Sequence, residues 1–230
     1  MRNAMYPLLG ASILFAASLA GCAKNAEDLV RQGEHAYREK DFDLAVRCCT
    51  EAIRLRPDCA EAYCCRGGAY FQKGDFNKAI ADYSEAIRLN PKSAMAYNDE
   101  GAAYAKIGKH NAAIFDCTQA IRLDPKYAEA YSNRGAAYAG NCDWDKALAD
   151  YTEAIRLDPK YAMAFHNRGA VYVQTGEFNT AIADFTEAIR LDPKYAFAFH
   201  NRGLAYLQTG EPSMADADFA EARRLGFSGK

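Results

Sequence analysis

Surplus charge of either sign is scarce in this 230-residue chain: 28 lysines and arginines meet 30 aspartates and glutamates, leaving a formal net charge of −2. A balance this even gives no argument for nucleic acid or for electrostatic attachment to an anionic membrane. Histidine is equally sparse, with four residues. His166 and His200 recur inside a duplicated His-Asn-Arg-Gly segment, and no third ligand accompanies them. The cysteine spacings match no zinc pattern. The sequence has no Ser/His/Asp set, no phosphate-cradling glycine loop and no catalytic-cysteine signature. The converging constellation that an enzyme needs is therefore missing; no cofactor, metal or small-molecule substrate is expected. Long apolar runs are lacking too: the apolar stretch from Tyr6 to Leu19 is too short to span a bilayer comfortably as a helix. Low-complexity tracts and linkers are absent.

What the chain does have is a period of 34 residues. Glu-Ala-Ile-Arg-Leu stands at Glu51–Leu55, Glu85–Leu89, Glu153–Leu157 and Glu187–Leu191, with Gln-Ala-Ile-Arg-Leu at Gln119–Leu123. Six repeats tile without gaps as 26–59, 60–93, 94–127, 128–161, 162–195 and 196–229. A period of this length sets the architecture before any single residue is weighed. The eighth place is always glycine (Gly33, Gly67, Gly101, Gly135, Gly169, Gly203), and the twentieth and twenty-seventh are always alanine. Aromatics recur at the fourth and eleventh places. Apolar residues fall at three- and four-residue steps, the period of a helix. Glycine at Gly74, Gly108, Gly176 and Gly210 suits a left-handed residue closing one helix. Prolines at the thirty-second place (Pro57, Pro91, Pro125, Pro159, Pro193) stop the next. The pattern predicts two antiparallel helices of roughly 12–14 residues per repeat. Glycine within a helix costs about 1 kcal/mol against alanine, so six of them imply close helix packing in return.

These residues resemble the tetratricopeptide repeat family, most completely in repeats two to five. Repeat one departs with Leu29, Ala36 and Lys40, and repeat six with Phe227 in place of the proline. The resemblance implies an all-α, right-handed superhelical solenoid of six antiparallel helix pairs, with first helices lining a concave groove that binds a protein or an extended peptide. In that groove Asn133, Asn167 and Asn201 would form a ladder at the sixth place. A similar ladder occurs in the repeat array of O-linked N-acetylglucosamine transferases. An asparagine amide both donates and accepts, which suits an extended backbone, and equally suits a helix surface with no ligand. His166 and His200 at the fifth place join the predicted lining. Phe197, Leu204 and Leu207 make its last part more apolar, fit for a partner's apolar anchor. The lysine, asparagine and arginine set that clamps chaperone carboxy termini is not reproduced.

Residues 1–25 stand outside the array. Arg2, the apolar stretch and Leu19-Ala20-Gly21-Cys22 read as a secretory signal and resemble the lipobox of bacterial lipoproteins. That resemblance implies a signal peptide over 1–21, cleavage before Cys22, diacylglycerol on its sulfur, acylation of the new amino terminus and a short tether over 22–25. The alternative is an ordinary cleaved signal and a soluble exported protein. Ala23, where an aspartate would favour inner-membrane retention, points to the outer membrane facing the periplasm in a cell with two membranes.

Three side-chain groups have plain structural readings. Cys49 and Cys117 occupy places that hold aromatics in other repeats and serve as small core hydrophobes. Cys59, Cys64 and Cys65 cluster at the first junction, where an exported protein has the opportunity for a disulfide. Arg66, Arg134, Arg168 and Arg202 at the seventh place match acids at the twenty-third, which points to pairing between helices; recognition of a ligand's phosphate or carboxylate is the other reading. Asp216 and Arg223 replace apolar residues of the other repeats and suit the outer face of a last repeat. Together these resemblances imply a non-enzymatic, lipid-anchored binding scaffold of the bacterial envelope that assists assembly of a pilus, secretion or outer-membrane complex. An adaptor for cell-wall hydrolases is the alternative, and an enzyme or metal-binding protein the third reading.

Overall fold

The structure is a computed structural model that describes residues 25–228. Cys22 and the expected signal segment over 1–21 lie outside the described residues. The chain divides into two compact bodies, one ending at Ala103 and one beginning at Tyr104. The first holds α1 (25–38), α2 (Phe42–Leu55), α3 (Ala60–Gln72), α4 (Phe76–Leu89) and most of α5 (Ala94–Lys106). The second holds α6 (His110–Leu123), α7 (Ala128–Gly140), α8 (Trp144–Leu157), α9 (Ala162–Thr175), α10 (Phe178–Leu191), α11 (Ala196–Thr209) and α12 (Pro212–Arg224). Among the described residues there is no strand. No described helix is long and apolar enough to cross a membrane.

Helix ends follow from local chemistry. The second helices stop where the cap residue meets a proline: Asp158 has φ −130° and ψ 93° before Pro159, the extended conformation that a following proline demands. Its carboxylate accepts from the Lys160 amide at 3.0 Å, and Asp124 and Asp192 repeat this turn. Within repeats the turn residue is left-handed, with φ of +80° at Gly74 and +83° at Gly176. Lys40 and Cys142 hold the same place at φ 63° and 60° without glycine's freedom, which costs a side-chain-bearing residue roughly 1–2 kcal/mol. Cys142→Gly is therefore expected to stabilise the second body by about 1 kcal/mol. A higher urea midpoint at unchanged slope would show it, and an unchanged or lowered midpoint would contradict it.

The core is built from alanine. Ala79, Ala113, Ala147, Ala181 and Ala215 at the twentieth place and their twenty-seventh-place partners are buried. The central glycines, however, do not chiefly accommodate those alanines. A Cβ on Gly169 would stand 2.9 Å from the Phe185 ring, on Gly135 3.1 Å from Tyr151, and on Gly203 2.7 Å from Phe219. In these repeats the glycine's partner is thus the aromatic side chain at the twenty-fourth place.

The seventh-place arginines are engaged in the same packing. Arg168 grips Asp184 with two donors, each at 2.8 Å, and reaches Thr152 with a third at 3.1 Å. Arg66, Arg134 and Arg202 repeat the pattern with Asp82, Asp150 and Asp218. Thr50, Thr118 and Thr186 take the third donor. Each arginine so joins the second helix of its own repeat to that of the preceding one, which is the structural pairing expected from the sequence. Glu100 takes the arginine's place in repeat three. Burial raises its carboxyl above the ordinary range, opposed by a hydrogen bond from Ser84.

Candidate functional site

In the second body, α7, α9 and α11 are the first helices of repeats four to six and carry most of the predicted groove residues. On α11, Phe197, Asn201, Leu204 and Leu207 are spaced by three and four residues and share one face. Phe197 is 57% exposed, Leu204 42% and Leu207 47%; Met163, at the matching place on α9, is 49% exposed. Apolar side chains left open along one face mark a site of interaction more readily than scattered single residues do. Asn133, Asn167 and Asn201 are half-buried on their helices.

The histidines sit differently from the open lining that the sequence suggests. The fifth place is an interior one: its counterparts Asn98 and Ser132 are 0% and 1% exposed. His166 is half-buried, with its ring 4.8 Å from Tyr195 and 5.6 Å from Phe185. Its Nε2 lies 2.9 Å from the Asn201 amide nitrogen and its Nδ1 3.2 Å from Asn167 Oδ1. An amide N–H can only donate, so Nε2 accepts and Nδ1 carries the proton. Burial holds His166 below its ordinary pKa, partly offset by the Asn167 oxygen. Two members of the asparagine ladder are thus linked through one neutral imidazole. That linkage fixes the amides at set angles and uses part of their hydrogen-bonding capacity.

His200 is packed by a different residue. Phe227, beyond the end of α12, stacks on it with centroids 4.1 Å apart and meets Phe197 edge-on at 5.2 Å. Burial lowers the pKa of His200 as well. Tyr195 covers His166 from the thirty-fourth place of its repeat, and Phe227 covers His200 from the thirty-second. The replacement of proline by phenylalanine was visible in the sequence; its contact was not. Asp216 and Arg223 are exposed on α12.

The cysteines divide by packing. Cys49, Cys59 and Cys117 are buried and Cys142 is exposed, and none of the seven among the described residues is joined in a disulfide. Cys59 Sγ receives Arg56 at 3.0 Å, so it is held by polar partners at the first junction. Among the described residues, no three His, Cys, Asp or Glu side chains come together as a metal site would require.

Sequence models described as TPR repeat match residues 67–108, 101–141 and 169–210, and models described as tetratricopeptide repeat match 128–161 and 150–183. No curated protein matches the chain. The crystal structure of MamA is similar at 31% identity and TM-score 0.60, over 69% of this chain and 93% of that one. PilW, described as a widely conserved type IV pilus biogenesis factor, superposes at TM-score 0.80 and 18% identity, over 89% and 94%. YrrB, described as having an unusual peptide-binding site, gives 0.57 and 21%, over 79% and 93%.

Proposed function

Because the chain belongs to the tetratricopeptide repeat family, we propose that it is a non-enzymatic scaffold that holds a protein or extended peptide against α9 and α11, anchored to a bacterial envelope membrane through lipid on Cys22. The observation that carries the binding half is the open apolar face of Met163, Phe197, Leu204 and Leu207, interleaved with oriented amides at Asn167 and Asn201. Apolar anchors beside fixed amides suit a partner that buries hydrophobic side chains while its backbone pairs with the amides. The anchoring half is supported by Leu19–Cys22 behind the apolar segment; several buried acyl chains hold a protein firmly at a membrane. Assembly of a pilus, secretion or outer-membrane complex is the task this combination fits. The fold is shared with a pilus biogenesis factor, and at 18% identity that sharing concerns the fold alone.

Site-specific photocrosslinking in the native cell tests both halves. A photoreactive residue at position 204 should capture a discrete partner in the membrane fraction, and one at position 183, on α10, should not. Phe197→Ala with Leu204→Ala should weaken that partner about tenfold to hundredfold, the loss of one or two anchors. Cys22→Ser should leave the precursor uncleaved or move the protein to the soluble fraction. Equal capture from positions 183 and 204 defeats the binding face, and an unmodified mature Cys22 by mass spectrometry defeats the anchor.

A further inference from the structure

In repeat one the space above the central glycine is filled differently from repeats two, four, five and six. Gly67, Gly135, Gly169 and Gly203 each face an aromatic ring. Gly33 faces two sulfurs: a Cβ built on it would stand 2.6 Å from Cys49 Sγ and 3.3 Å from Cys65 Sγ. Cys49 comes from α2 and Cys65 from α3, which pack together within the first body. A thiol is too short to replace a ring, and the second sulfur completes the filling. Both sulfurs thus converge on one point over Gly33.

We propose that Cys49 and Cys65 form a disulfide that fastens the first repeat to the second. This site differs from the cluster suggested by the sequence, because Cys59 is turned to Arg56 and Glu61, whereas Cys49 and Cys65 meet over Gly33. Access is asymmetric in a useful way. Cys49 is fully buried, while Cys65 is partly exposed. Interaction with the Cys49 thiol also favours the thiolate of Cys65, the form that attacks. The chemistry balances with an external disulfide as oxidant. The Cys65 thiolate attacks one sulfur of that disulfide, a Cys65–S–S–R bond forms, and the first RS⁻ leaves. Cys49 gives up its proton to that leaving thiolate and attacks the Cys65 sulfur; the protein disulfide forms and the second RS⁻ leaves. The two thiols are oxidised and the external disulfide is reduced to two thiols. The inference rests on the contact over Gly33 and is independent of the binding face on α9 and α11.

The purified full chain, incubated with oxidised glutathione and then blocked with N-ethylmaleimide, tests it. Non-reducing peptide mapping should recover the α2 and α3 peptides joined through Cys49 and Cys65, two hydrogens lighter than the sum of the separate peptides. Two thiols should escape alkylation, and the urea midpoint of the first body should rise and return on reduction. Cys65→Ser should retain the parent helicity while losing both the linked peptide and the reduction-sensitive shift. Cys49→Ala provides the same reading from the buried side. The proposal is overturned by a persistent glutathione adduct on Cys65, by linkage of either cysteine to Cys48, Cys59 or Cys64, or by two unmodified thiols after treatment.

Discussion

Asp184→Ala is expected to cost about 3–5 kcal/mol, the usual consequence of leaving one member of a buried ion pair alone. Asp184 is 6% exposed and accepts both donors of Arg168. The arginine side chain is 18% exposed and stacks over Phe165, so it cannot simply turn to water when its partner goes. Thr152 keeps one donor satisfied and leaves the other two without the carboxylate. The loss should appear as a lower urea midpoint and as faster amide exchange in α9 and α10, because stability in a repeat array is local to neighbours. Arg168→Met combined with Asp184→Leu should recover most of it, since an apolar pair of similar volume carries no desolvation cost. The pair Glu187–Arg190 on the same helix supplies the contrast. Its arginine is 66% exposed, and Glu187→Ala should cost about 0.5 kcal/mol or less. Equal losses from Asp184→Ala and Glu187→Ala would show that the interior pairing is not what holds the repeats.

Gly169→Leu should cost at or above the upper end of the roughly 1–3 kcal/mol range for overpacked cores. The first added carbon already lies 2.9 Å from Phe185, whose side chain is fully buried and has nowhere to swing. Gly169→Ala separates the opposing effects. Alanine gains up to about 1 kcal/mol in helix propensity and meets the same ring, so a net loss identifies contact as the stronger term. Gly169→Ala with Phe185→Leu should cost less than the two single losses added together, because the smaller side chain releases the clash. A stabilised Gly169→Ala would mean that the ring yields and that the glycine is not required for close approach. Gly74 is under a different constraint: a Cβ there meets nothing within 4 Å, and its requirement is the left-handed backbone alone.

The 34-residue period, the helix pairs, the proline stops and the Arg–Asp pairing were all legible in the sequence. Each follows from spacing along one helix or from a similar environment recurring from repeat to repeat, so counting residues is enough to find it. The exposed face of Phe197, Leu204 and Leu207 was legible for the same reason, since helical period places all three together. What only the tertiary structure decided are contacts between helices. The twenty-fourth-place rings over the glycines, the seating of His166 between Asn167 and Asn201, Phe227 on His200, and the meeting of Cys49 with Cys65 over Gly33 all join residues from different helices. Their partners depend on how far the axes approach and on which atoms fill the remaining volume. A linear pattern carries the identities of those atoms but not the distances between them.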